Sequence, residues 1–179
     1  MSLRESDGLL FREVQQFRQL WLWAMVLGWP AIMLLVFGYG LFRQAVLGQP
    51  WGNSPMPTDA LVLATCVSTV VVLLLAWLFY AVKLITEVRR DGLYIRFWPL
   101  AWRRIGYDQI IECEARTYHP IREYGGWGIR WGLKGKAYNV SGNRGVQLVL
   151  AGRKRLLIGS QRPDELEAAV NTARAAATG

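Results

Sequence analysis

The sequence predicts an α+β membrane protein: a two-helix transmembrane hairpin, then an antiparallel β-barrel or sandwich of about seven strands capped by a C-terminal helix. Three observations predict it. Two uncharged runs, LWLWAMVLGWPAIMLLVFGYGLF (residues 20–42) and ALVLATCVSTVVVLLLAWLFYAV (residues 60–82), are each long enough for a helix to cross a hydrocarbon core of about 30 Å. From Lys83 onward, apolar and polar residues alternate in short segments, which is the period of a strand. The chain closes on a segment with apolar residues at helical spacing.

Composition and charge set the frame. A chain of 179 residues that is 53% hydrophobic suits one small domain beside two spans. The first run exceeds the roughly 7–15 residues of a signal-peptide core and no small-residue cleavage site follows it, so it is expected to be retained. Residues 83–179 hold 17 Lys and Arg against 9 Asp and Glu, which accounts for the whole net charge of +8. Basic residues beside the runs set orientation. Arg12 and Arg18 precede the first run and Lys83, Arg89 and Arg90 follow the second, whereas the link between them offers only Arg43. Both termini are therefore expected in the cytoplasm of a multi-pass inner-membrane protein, with the link outside. Cys66 lies mid-span and Cys113 in the cytoplasmic part, so no disulfide is expected. The Asn139-Val140-Ser141 sequon is expected to be cytosolic and unused.

Each element follows in order. In residues 1–19, Leu10, Val14 and Phe17 continue to Trp21 at i, i+4, i+7 and i+11, which reads as a cytoplasmic amphipathic lead-in resting among headgroups or as extra turns of the spanning helix. In residues 20–42, Gly28-Trp29-Pro30 is expected to kink the helix. Trp21, Trp23, Tyr39 and Phe42 near its ends suit the two interfaces. Residues 43–59 carry Pro50, Pro55 and Pro57 and read as an irregular external loop. In residues 60–82, Ala60, Ala64 and Ser68 form a small-residue stripe for the first span, or for a second copy in a homodimer.

Residues 83–179 read as the cytoplasmic domain. Strands are expected at residues 84–89, 93–97, 102–107, 111–118, 137–140, 145–150 and 155–158. Asp91-Gly92 supplies a two-residue turn after the first, and Gly152 marks the hairpin between the last two. In residues 111–118, Ile111, Cys113 and Ala115 are expected opposite Glu112, Glu114 and Arg116. Pro163 opens the final helix, Asp164 and Glu165 complement its dipole, and Leu166, Ala169, Val170 and Ala173 make its buried stripe.

Strands followed by one helix resemble the pleckstrin-homology (PH) fold. The likeness rests on RKRLLIGSQRPDELEAAV (residues 153–170) and EYGGWGIRWG (residues 123–132). With the two preceding runs, the chain is similar to small two-pass bacterial membrane proteins with a C-terminal bacterial-PH-like domain, a family of unknown function. The resemblance covers residues 83–176 and implies a PH-like domain, but fold alone chooses neither ligand nor activity. Lipid-reading PH domains use a basic loop between their first two strands. Here Arg89-Arg90-Asp91-Gly92 is short and carries an acid, so phosphoinositide reading is not carried over.

Two segments are candidate sites. The second strand returns toward the bilayer, so Trp98, Leu100, Trp102, Arg103 and Arg104 are expected at the membrane interface, with rings inserted and guanidinium groups on lipid phosphate. The alternative is that Trp98 and Trp102 cover the domain core. Tyr124, Gly125, Gly126, Trp127, Gly128, Arg130 and Trp131 form a candidate partner-binding loop, with backbone freedom from the glycines and stacking and anion contacts from the rest. Its alternative is a wide hairpin whose tryptophans pack down on the sheet. It has neither the Lys-Ser/Thr ending nor the GxGxxG spacing of a phosphate loop.

No catalytic set is legible. His119 is the one histidine, Glu112 and Glu114 read as a solvated strand face beside Arg116, and Cys113 is expected to face the core. No metal cluster, cofactor motif or nucleic-acid motif is present in the sequence. The expected function is a membrane-anchored, non-catalytic binding module docking anionic membrane lipid or a protein partner. The alternative is an accessory subunit that regulates a membrane enzyme or transporter through its hairpin.

Overall fold

A computed structural model of the chain describes residues 8–132 and 134–178. It divides into two units: residues 18–80, and the segments on either side of them.

The unit of residues 18–80 is built on α1 (Leu20–Ala45) and α2 (Thr58–Ala81). Both helices are long and apolar enough to cross a membrane. α1 continues as one helix through Pro30. The hydroxyls of Thr65, Ser68 and Thr69 donate to carbonyls one turn back at 2.7–2.8 Å, so they are satisfied within α2 without water. The link is irregular, as Pro50, Pro55 and Pro57 predict, but it is tied down. Trp51 lies on Gly40, where a Cβ would stand 2.5 Å from the indole, and meets Phe37 edge-on at 6.5 Å. Arg43 donates to Gln49 at 2.6 Å and Gln44 to the Met56 carbonyl at 2.8 Å.

The other unit carries nine strands among the described residues, in two sheets. The first sheet has the order β1-β2-β3-β4, from β1 (Leu9–Gln16), β2 (Lys83–Arg89), β3 (Gly92–Trp98) and β4 (Trp102–Ile105). The chain then forms β5 (Ile110–Thr117), a short helix α3 (Pro120–Tyr124), β6 (Gly128–Gly132), β7 (Gly135–Asn139), β8 (Arg144–Leu150) and β9 (Lys154–Gly159). These strands make the second sheet in the order β5-β8-β9-β7-β6. The helix α4 (Pro163–Thr178) ends the chain.

The inner faces of both sheets share one core. Leu84, Val88, Leu93 and Ile95 meet Val146, Leu148, Leu156 and Ile158, and α4 adds Leu166, Val170 and Ala173. Full burial of Leu166 or Val170 is worth about 1.5–3 kcal/mol each. The α4 stripe is thus where the periodicity predicts it, with Ala169 packed at its margin.

Five expectations are corrected. No barrel closes, because β1 and β4 bound one sheet and β5 and β6 the other. β7 pairs parallel with β9, Lys136 opposite Leu156, so the second sheet is mixed. Ile111 does not share the inner face with Cys113: the register shifts between Ile110 and Glu112, so Ile110 is buried and Ile111 exposed. Of the expected amphipathic lead-in, residues 1–7 lie outside the described residues, and Leu9–Gln16 form a strand instead of a helix. β1 pairs antiparallel with β2, and Phe11, Glu13 and Gln15 point inward while Arg12 and Val14 point out. The tip between β2 and β3 is also one residue earlier than expected, with Arg90 and Asp91 in the loop and Gly92 already paired to Arg89.

The inward polar residues of β1 explain its place. Glu13 accepts from the Ser160 hydroxyl at 2.5 Å and the Gln161 amide at 2.7 Å, and Gln15 donates to the Gly159 carbonyl at 2.7 Å. The first strand is thereby stitched to the turn between β9 and α4.

Candidate functional site

The interface candidates separate by strand geometry. Antiparallel register sets Trp98 opposite Lys83, and Lys83 opposite Gln16. Residues 98–101 then turn the chain from β3 into β4. The Leu100 amide donates to the Phe97 carbonyl at 2.8 Å, and Arg96 Nε donates to the Leu100 carbonyl at 3.2 Å. The Arg96 guanidinium lies 5.6 Å over the Trp102 ring, and Trp102 meets Tyr94 edge-on at 6.3 Å. Leu100 is 53% exposed and Trp102 40%, while Trp98 is half-buried. Neither Leu100 nor Trp102 belongs to the core, so the reading of Trp102 as a core cover is not what this turn does.

Alternation divides the two arginines. Arg104 points outward toward the β2–β3 tip, where it donates to the Asp91 carbonyl at 2.7 Å and stands 3.5 Å from its carboxylate. The hydrogen bond from Tyr94 holds the Asp91 carboxyl below its ordinary value. Arg103 points to the other face, beside Tyr138 of the second sheet. Burial pushes the Tyr138 phenol up, but Lys136 and Arg103 at its hydroxyl offset this and hold it below the usual phenol range. The expected cluster of five is therefore a rim of three, Trp98, Leu100 and Trp102, with Arg104 at the tip and Arg103 turned inward.

The glycine-rich segment runs from the end of α3 into β6. Gly125 takes φ +73°, the left-handed cap of α3, and its amide donates to the Ile121 carbonyl at 2.9 Å. The Trp127 indole donates to the Gly142 carbonyl at 3.0 Å, and Arg130 Nε donates to the Trp127 carbonyl at 3.0 Å. The Gly128 amide donates to Asn139, which is buried and donates in turn to the Tyr118 hydroxyl. Gly126 is buried and Gly128 half-buried. Tyr124 is buried against Tyr118 at 6.0 Å, so it is a small-core residue and presents no surface to a partner. Of the seven, Trp131 is the ring that reaches solvent, at 74% exposure.

The ionisable groups sort themselves by partner. Burial works against the Glu123 carboxylate, but Arg116 at 2.9 Å, the His119 amide at 2.8 Å and Lys134 at 3.3 Å bring its pKa down to about 2. Arg116 is committed to Glu123, Tyr124 and Gln147. Glu112 and Glu114 are exposed on β5. Burial, then the nearby Glu167 charge, push the Cys113 thiol up to about 12, so it stays protonated at neutral pH. His119 is exposed and caps α3 with its backbone. Among the described residues no three His, Cys, Asp or Glu side chains gather to hold a metal ion.

Sequence reasoning missed one gathering of residues. Lys134 and Lys136 from around β7, Arg153 from the β8–β9 turn, and Lys154 and Arg155 at the start of β9 line one cavity together with Arg103. The run of three at residues 153–155 was its only local signal.

A model of a family of unknown function, DUF6141, matches residues 2–177, so the chain belongs to that family. No curated protein and no solved structure matches it.

Proposed function

We propose that this member of a family of unknown function is a non-catalytic binding module anchored in the cytoplasmic membrane by α1 and α2. In this reading the rim of Trp98, Leu100 and Trp102 rests in the anionic lipid interface and holds the PH-like domain beside the bilayer. One observation carries it: the register Gln16–Lys83–Trp98. The chain reaches α1 four residues after Gln16 and leaves α2 two residues before Lys83. The strand ends that connect to both apolar helices are therefore neighbours at one end of the first sheet, and the exposed turn lies at that same end. Covalent connection alone keeps that end close to wherever the helices go. Exposed Leu100 and Trp102 would otherwise be apolar surface facing water, whereas indole and leucine side chains suit the headgroup boundary. The same pairing requires both flanks of the hairpin to lie on one side of the membrane, and the basic residues Arg12, Arg18, Lys83, Arg89 and Arg90 select the cytoplasm.

The test uses the full chain in nanodiscs. Leu100→Cys, in a Cys66→Ser and Cys113→Ala background, is labelled with an environment-sensitive fluorophore, and nitroxide is placed on the lipid headgroups. Strong quenching is expected at Leu100 and weak quenching at Ile121→Cys, a 69% exposed position on α3. Equal, weak quenching at both positions would reject the docked rim.

A further inference from the structure

The cavity missed by sequence reasoning has a volume of about 580 Å³, within the range of small-ligand sites. Six cations line it: Arg103, Lys134, Lys136, Arg153, Lys154 and Arg155. No acid lines it. Among the described residues only Lys134 of the six has a carboxylate partner, Glu123 at 3.3 Å. Like charges collected around one concavity repel each other, and the fold gains nothing from gathering them unless a counter-charge arrives.

The gathering is built by the sheets. The parallel pairing of β7 with β9 sets Lys136 opposite Leu156, directly after Arg155. The antiparallel pairing of β8 with β9 sets Lys154 opposite Leu150. Arg103 comes from β4 of the other sheet, so three separate segments converge. Lys136 is held in place, its Nζ 4.5 Å from the Trp131 ring and 4.7 Å from the Tyr138 ring. Arg153 takes φ +60° and is the one non-glycine residue with positive φ among the described residues. Such a conformation is uncommon for an arginine, and backbones of this kind concentrate at ligand clamps. Buried Leu150 and Leu156 line the cavity as well, and exposed Trp131 stands beside it.

We propose that this cavity binds a ligand carrying two or more clustered phosphoryl groups, with Trp131 covering its less polar part. Guanidinium forks and ammonium groups converging from three segments suit several anionic oxygens at short spacing better than one carboxylate. The same chemistry is available from a bis-phosphate lipid headgroup and from a free phosphorylated molecule. The site lies wholly within one unit and does not depend on the rim of Trp98, Leu100 and Trp102.

The experiment is calorimetric titration of the full chain, in phosphatidylcholine nanodiscs, with inorganic tripolyphosphate. Saturable binding is expected, weakening as salt is added. Lys154→Gln with Arg155→Gln should lower the affinity about tenfold or more, the scale of losing two charge-assisted contacts. Arg122→Gln, an exposed cation on α3, should leave it unchanged. Thermal unfolding of each variant verifies the fold. Equal affinity of the double variant, the Arg122 variant and the wild type would overturn the site, as would no saturable binding by the wild type. A second arm repeats the titration with cardiolipin or phosphatidylserine in the discs at matched lipid charge. Loss of tripolyphosphate affinity with cardiolipin alone identifies the lipid headgroup as the source, and equal affinity in both identifies a soluble ligand. Because phosphate is read here and headgroup quenching tests the rim, either proposal can fail without the other.

Discussion

Single residues decide how the candidate surfaces are divided. Arg103 and Arg104 are neighbours in sequence, yet strand alternation sends one toward Lys136 and Tyr138 and the other to the Asp91 tip. Glu123 shows what one well-held carboxylate does. It joins α3 to β5 through Arg116 and to the start of the β7 region through Lys134. Its pKa falls from the ordinary 4.5 to about 2, with burial opposing and the Arg116, His119 and Lys134 hydrogen bonds prevailing. Between those values the unfolded chain takes up a proton that the folded chain does not bind. The stability this carboxylate contributes is therefore complete above pH 4.5 and drains as the pH falls toward 2. Thermal midpoints of the detergent-solubilised chain, followed by near-UV circular dichroism across that window, should fall more steeply for wild type than for Glu123→Gln. Parallel pH profiles would show that the Arg116–Glu123–Lys134 cluster does not report on folding.

At the scale of elements, β1 is the segment where two readings of the same residues part. As a surface helix, Val14 would be an apolar contact and Glu13 a solvated charge. As a strand, Glu13 is buried on Ser160 and Gln161, and Val14 is 47% exposed. Glu13→Ala leaves a hydroxyl and an amide without their acceptor and should cost about 2–4 kcal/mol. Val14→Ser should stay within about 0.5 kcal/mol. Denaturant titration of the full chain in detergent measures both, and the reverse ranking would remove β1 from the sheet. The same residues show how far the sequence was legible. The strands from Lys83 to Phe97 and the stripe on α4 announced themselves because their inward residues are apolar, Thr86 between Leu84 and Val88 being the exception. In β1 two of three inward residues are Glu13 and Gln15, so the period-two signal vanished and a sparse helical spacing stood in its place. β6 was hidden for a different reason. Gly128, Arg130 and Gly132 carry no alternation of polarity, and its pairing with β7 becomes evident only in three dimensions. The cationic cavity was illegible for the same cause, since its six cations are spread over three segments that register alone brings together.

At the scale of the whole molecule, the strongest constraint is topological. β1 lies before α1 and β2 after α2, yet they are paired along seven residues of β2. If both apolar helices cross a membrane, the segments they separate must emerge on the same face, because a sheet cannot be paired through the bilayer. An arrangement with one crossing, or with the flanks on opposite faces, is incompatible with that pairing. Under the proposed function the distribution of basic residues assigns that face to the cytoplasm, with Arg43 the one cation of the link. Cysteine scanning tests both steps in one experiment. Ser54→Cys in the link and Asn143→Cys in the turn before β8 are each exposed, and each is placed in the full chain with Cys66→Ser and Cys113→Ala. A membrane-impermeant maleimide applied to intact cells should label position 54 and leave position 143 unlabelled until the cells are opened. Labelling of position 143 alone would invert the orientation while keeping the hairpin. Labelling of both in intact cells would separate the strands from the cytoplasm and remove the interface on which the docked rim depends. Labelling of neither before lysis, and of both after it, would deny that the apolar helices cross at all.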